Sequence, residues 1–181
     1  MKIVLNGCYG GFSLSYEAMY LYWQAKNKEA YFYADMSTYE GAKKIKFKRV
    51  TLSEIPKLKH VFYVYCTTDD QGEILDHYPE NIWRDRDVDR TDPTLVSVVE
   101  IIGSKAASGR FASLEIHEIP SGTQYRIDEY DGIEELITKE DDDWKTAGIQ
   151  YQSIQTQGRI QAAWDLIKPA PTPDPDLTFK Y

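Results

Sequence analysis

Apolar residues along the chain fall into short runs that switch between two periods. Residues 2–6 (Lys-Ile-Val-Leu-Asn) are a continuous apolar run ended by Asn6, the pattern of a buried strand. Glycine then relaxes the backbone at Gly7, Gly10 and Gly11, so residues 7–13 read as a loop. Ser13 or Ser15 can cap a following helix, with Glu17 facing its positive end. In residues 14–27 the spacing of Tyr16, Met19, Tyr20 and Trp23 gives that helix one apolar face. Ala30-Tyr31-Phe32-Tyr33-Ala34 predicts a second strand, closed by Asp35. Strand–helix–strand order favours a parallel pairing of the two strands through a right-handed crossover.

Residues 45–50 begin by alternating apolar with basic side chains and suit a half-exposed strand. Pro56 interrupts a short helix or turn over 53–59. Residues 60–66 (His-Val-Phe-Tyr-Val-Tyr-Cys) are rich in β-branched and aromatic types and predict a strand. Residues 67–79 read as loop. Thr91 or Asp92 with Pro93 opens a helix over 93–105 that ends at Gly103 or Gly109. Residues 112–119 and 123–130 alternate in period two around Pro120-Ser121-Gly122, which predicts a β-hairpin ended by Asp131-Gly132. Residues 133–137 read as a short helical segment and 139–143 as a charged, solvated stretch. A last amphipathic helix spans about 153–167, with Ile160, Ala163, Trp164 and Ile167 on one side. Pro169, Pro171, Pro173 and Pro175 follow at every second position, the composition of an extended, disordered tail.

The expected fold class is α+β. It comprises a mixed β-sheet of about five strands, two main helices packed on it, a C-terminal helix and a Pro-rich tail. The expected domains are an α+β core over 1–138, a helical extension over 139–167 and the tail over 168–181.

Composition narrows the function classes. With 181 residues and 42% hydrophobic content, the chain can bury a core without disulfide staples. No apolar stretch approaches the ~20 residues a membrane span needs, and residues 1–30 lack a signal-peptide pattern. A cytoplasmic protein is expected, with Cys8 and Cys66 as free thiols. A net charge of −8 argues against nucleic acid as a partner. The charge is unevenly placed, however. Residues 41–60 hold seven lysines and arginines against a single Glu54.

Two blocks resemble a family of small uncharacterised bacteriophage proteins. One is Met1-Lys2-Ile3-Val4-Leu5-Asn6-Gly7-Cys8-Tyr9-Gly10-Gly11-Phe12-Ser13-Leu14-Ser15. The other begins at Arg90-Thr91-Asp92-Pro93-Thr94-Leu95-Val96 and runs through Glu118-Ile119-Pro120 to Glu129-Tyr130-Asp131-Gly132. The resemblance implies a phage accessory protein acting in the host cytoplasm. It carries no site assignment.

Candidate chemistry is sparse. A glycine loop before a helix can bind an anion through backbone N–H groups. The loop fails the P-loop pattern, because Phe12 follows Gly11 where Lys is required. It also fails the dinucleotide pattern. Asn6, Gly10, Gly11 and Ser13, with Asp35 placed as a ribose-binding acid, are the candidate ligand residues, set against a tight structural turn. Cys8 is a candidate nucleophile at a helix N-terminus, set against a small, partly buried hydrophobe. Of the histidines, His60, His77 and His117, none has a signature spacing to it. Asp85, Asp87, Asp89 and Asp92 miss the calcium-loop pattern at Arg90 and Val96, so no metal site is expected. Lys43, Lys44, Lys46, Lys48 and Arg49 form a basic patch, either a contact surface or a charged edge that resists aggregation.

These features favour a non-enzymatic accessory protein that binds a host protein and inhibits or redirects it. The alternatives are a nucleotide or other phosphate-ligand binder using the glycine loop, and a small Cys8-dependent enzyme. No cofactor is expected, and an oligomer stays open.

Overall fold

A computed structural model describes residues 1–38, 44–58, 61, 63–138, 145–146 and 154–168. The strands are β1 (Lys2–Asn6), β2 (Tyr31–Asp35), β3 (Phe47–Val50), β4 (Val64–Thr67), β5 (Ile74–Leu75), β6 (Leu114–Glu118), β7 (Gln124–Tyr130), β8 (Ile133–Ile137) and β9 (Lys145–Thr146). The helices are α1 (Tyr16–Ala25), α2 (Pro93–Ile102), α3 (Ser104–Ala107) and α4 (Ile154–Ile167). The protein is α+β. No described helix is long and apolar enough to cross a membrane.

Where the sequence left two caps open, the structure selects one. Ser15 Oγ caps α1 by accepting from the Ala18 amide at 3.1 Å. Asp92 caps α2 by accepting from the Thr94 amide at 2.7 Å. Gly103, at φ 85°, ends α2 in a conformation that only glycine adopts freely. Asn27, at φ 56°, turns the chain after α1.

The strands are distributed over three antiparallel sheets in place of one mixed sheet. The orders are β1-β6, β4-β2-β3-β5 and β8-β7-β9. The expected parallel pairing of β1 with β2 does not occur. β1 pairs with β6 from Lys2↔Glu118 to Asn6↔Leu114, while β2 lies between β3 and β4. β1 is buried from Ile3 to Asn6, so its polar backbone needs a ladder partner, and β6 supplies it.

The expected hairpin at Pro120-Ser121-Gly122 is also absent: β6 pairs with β1 and β7 lies in another sheet. The hairpin forms one strand later. Asp131 (φ 50°) and Gly132 (φ 89°) adopt the two positive φ values of a two-residue type I′ turn and join β7 to β8. Residues 133–137 are therefore a strand and not a helix. Within the expected loop 67–79, β5 adds two residues to the edge of β3.

Packing sits on both faces of two sheets. Val4 and Leu114 on one face of β1–β6 meet Leu21, Leu95, Val99 and Ile160, all in one cluster. Ile3 and Leu5 on the opposite face meet Ile119 and Tyr125. The second sheet puts Phe32, Val50 and Cys66 against α1, and Tyr33, Phe47 and Leu75 on its other face. The helix expected as an extension belongs to the core: α4 inserts Ile160 and Ala163 into the cluster shared with α1 and α2. Burying a side chain the size of Ile160 is worth about 1.5–3 kcal/mol. The acidic stretch 139–143 and the Pro-rich tail from Pro169 onward lie outside the described residues.

Candidate functional site

The glycine loop is one wall of a knot of three loops, with Asn6 at its centre. β1 delivers Asn6 at its end with 0% exposure. Its Nδ2 donates to Cys8 O and to Gly132 O, both at 2.6 Å. Its Oδ1 accepts from the Ser113 amide at 2.8 Å. Its own backbone N–H donates to Glu134 Oε2 at 3.0 Å. Both amide donors and the carbonyl of the side chain are thus occupied.

Glu134 carries the network outward. Its carboxylate accepts from Arg90 Nε (2.9 Å) and Nη2 (2.7 Å) in a forked pair. The two side chains are 13% and 8% exposed. Arg90 Nη1 also donates to Val88 O at 2.6 Å, and the guanidinium lies 3.5 Å from the centre of the Phe12 ring. Removing either partner of a pair buried this way would strand the other's charge, at a cost of about 3–5 kcal/mol. Asn6 with Gly132, and Phe12 with Arg90, thus bring widely separated parts of the chain together here.

The glycines are explained by this packing. A Cβ on Gly10 would lie 1.5 Å from Phe111 O, and one on Gly132 would lie 2.5 Å from the Gly11 amide. Gly11 stands at φ 82° with open space around it. Ser13 lies against the 108–113 loop: its carbonyl accepts from Gly109 N at 2.9 Å, and a Cβ on Gly109 would sit 2.2 Å from Ser13 Oγ.

The junction between loop and helix already holds an anion of its own. The Leu14 amide donates to Asp85 Oδ2 at 2.7 Å, and the Arg86 amide donates to Asp85 Oδ1 at 3.0 Å. Burial nevertheless holds the Asp85 carboxyl above its ordinary range, outweighing those hydrogen bonds. Ser15 Oγ, besides capping α1, donates to Ala106 O at 2.6 Å.

Cys8 is half-buried, and its Sγ donates to Phe111 O at 3.2 Å, with Asn6 Oδ1 at 3.5 Å. Both acceptors are uncharged. His117 lies 3.7 Å from Glu115, His77 is bonded to Asp76 at 3.0 Å, and His60 lies outside the described residues. Cys66, on β4, is buried against α1, which pushes its thiol up to about 12. No group of three or more His, Cys, Asp or Glu among the described residues could hold a metal ion.

Asp35 is not joined to this cluster. It ends β2, in a different sheet from β1, and its Oδ1 accepts from the Ser37 amide at 2.9 Å. The basic patch divides between two faces of the β2–β3 ladder. The register places Lys44, Lys46 and Lys48 on one face, with Lys48 3.8 Å from Glu54. Arg49 is on the other, paired with Asp70 at 2.6 Å and with Glu73. Lys43 lies outside the described residues.

That second face carries a feature the sequence reading did not assemble. Tyr63 stacks on Tyr65 with ring centres 6.2 Å apart, and Tyr78 lies over Phe47 at 5.0 Å. Tyr33, beneath them, accepts from the Gln71 amide at 2.9 Å. Tyr63 and Tyr78 remain 63% and 45% exposed. Alternation within residues 63–65 is the signal that could have found it.

No protein-family model, characterised protein or solved structure matches the chain.

Proposed function

We propose that this chain is a non-enzymatic phage accessory protein that binds a host cytoplasmic protein and inhibits or redirects it. The observation that carries the reading is the cluster of Tyr63, Tyr65 and Tyr78 over the second face of the β4-β2-β3-β5 sheet, with Tyr63 and Tyr78 exposed. Tyrosine offers large contact area and a hydroxyl for little conformational entropy, and aromatic residues are enriched where proteins bind proteins. The origin in a phage and the host compartment rest on the resemblance of the two sequence blocks.

The alternatives draw less support. A phosphate ligand on the glycine loop would compete with Asp85 for the Leu14 amide and meet Phe111 packed on Gly10. A Cys8 enzyme would need a base where the thiol now faces uncharged oxygens.

The test is affinity capture from host lysate with the wild type and a Tyr63→Ser/Tyr78→Ser double variant. The wild type retains a specific host protein and the variant loses it. Capture of the same partner by both removes the tyrosine cluster from the reading. Capture of none by the wild type removes the reading itself.

A further inference from the structure

The β1–β6 ladder has one edge in use and one edge open. Ile119 donates its amide to Met1 O at 2.9 Å, and Gly7 donates to Ser113 O at 2.8 Å. Antiparallel alternation then makes Ile3–His117 and Leu5–Glu115 the bonded pairs. The amides and carbonyls of Leu114, Ile116 and Glu118 therefore point away from β1.

On the outer edge of β1, Val4 donates its amide to Arg90 O at 2.9 Å, and Asn6 donates to Glu134. On the outer edge of β4, Cys66 O accepts from the Trp83 amide at 2.8 Å. On the outer edge of β6, only the Leu114 amide is engaged among the described residues, donating to Ser108 Oγ at 2.8 Å. The amides and carbonyls of Ile116 and Glu118 have no partner among the described residues.

A groove of about 500 Å³ runs beside this edge between α3 and β6, lined in part by Lys105, Ala112 and Ile116. Lys105 is exposed and has no carboxylate partner among the described residues.

We propose that this edge is a strand-addition site for an extended segment of a partner protein. The segment pairs with Ile116 and Glu118, seats an apolar side chain against Ala112 and Ile116, and sets a carboxylate on Lys105. The unpaired groups select this occupant. Donors and acceptors alternate along β6 at a two-residue repeat of roughly 6.8 Å. An inorganic anion or a nucleic-acid backbone can accept from the amides but has no N–H groups for the carbonyls. An extended peptide supplies both, as in other strand-addition complexes. The site is separate from the tyrosine cluster and stands whether or not that cluster touches anything.

The test is selection from a displayed library of random linear peptides on the folded chain. Binding of the selected peptides is then compared across variants. Glu118→Pro removes an outward amide and spares every β1–β6 bond, since position 118 donates nothing to β1. Glu118→Ala is its control, and Lys105→Glu reverses the groove charge. Amide hydrogen exchange in the wild type provides a readout that needs no variant to fold. The expected result is a loss of at least about tenfold in affinity with Glu118→Pro and with Lys105→Glu. Glu118→Ala keeps its affinity, and exchange slows at Ile116 and Glu118 when peptide binds.

The proposal is overturned by any of four results. These are selection of no peptide, equal affinity for the proline variant, protection elsewhere than β6, or a Glu118→Pro-sensitive dimer that peptide fails to dissociate. The last would make a second copy the occupant.

Discussion

Replacing Asn6 by alanine tests the three-loop knot most directly. The substitution strands two carbonyls, of Cys8 and Gly132, and one amide, of Ser113, around a side chain that is 0% exposed. An unsatisfied buried polar group costs about 1–3 kcal/mol, with carbonyls at the low end because they have a second lone pair. Summed over the three, the expected loss is about 4 kcal/mol, a large share of the 5–15 kcal/mol that typically holds a domain together. With a urea slope of about 2 kcal/mol per molar, the unfolding midpoint falls by about 2 M. Tryptophan fluorescence and far-ultraviolet circular dichroism report the midpoint, and amide exchange reports the freed Ser113 N–H. Asn6→Asp sharpens the test. It keeps the acceptor for Ser113 but turns two donors into an oxygen that faces carbonyls 2.6 Å away. It is therefore at least as damaging as alanine at neutral pH, and it recovers in acid, where the carboxylic acid regains one donor. A midpoint shift below about 0.5 M for alanine would refute the hub, because it corresponds to less than the cost of a single stranded group.

Glycine packing, a buried carboxylate and the C-terminal helix each give a further expected outcome. Gly10→Ala costs more than about 3 kcal/mol or prevents folding, because its Cβ meets backbone at 1.5 Å, whereas Gly11→Ala, with open space around it, costs only about 1–2 kcal/mol for its positive φ; urea titrations of the pair separate the two causes. Asp85 carries a folded-state carboxyl held above its ordinary value of 3.8, so the folded state binds more protons than the unfolded chain as pH rises past that value, and the stability it contributes declines toward neutral pH. Asp85→Asn, which keeps an acceptor for Leu14, therefore gains on the wild type between acid and neutral pH, and a difference independent of pH in parallel denaturation curves would contradict the assignment. Ile160→Ala costs about 2–5 kcal/mol by thermal or urea unfolding, while Leu166→Ala, on the exposed side of the same helix, stays within about 0.5 kcal/mol.

Local chemistry was readable from the sequence and long-range pairing was not. The caps at Ser15 and Asp92 follow from side chains that bond within a few residues of themselves, and the stop at Gly103 from glycine's freedom to take a positive φ. The partner of β1 is chosen by burial: Ile3, Val4 and Leu5 are apolar on both faces and accept any strand that brings a second apolar surface. Period alone does not distinguish β2 from β6. The hairpin was misplaced because Pro120-Ser121-Gly122 and Asp131-Gly132 are both turn sequences, and only the second has the two positive φ values that match strand twist. At the candidate site the loop itself was visible, but its partners were hidden in three ways. Asp85 looked like one member of a surface ladder of aspartates. Glu134 sat in a segment read as helix. Ser113 contributes only its amide, which no side-chain pattern betrays.

The pairing of β1 with β6 also sets a clock. Asn6 waits for Leu114, and Lys2 for Glu118, so over a hundred residues must follow β1 out of the ribosome before its ladder can close. At about 5–20 residues per second, that interval is roughly 5–20 s. Throughout it Ile3-Val4-Leu5 is an apolar segment without its ladder partner, the kind of exposed surface that nascent-chain chaperones cover. The yield of folded protein in the cell should therefore respond to elongation rate and chaperone supply before it responds to the stability of the finished molecule.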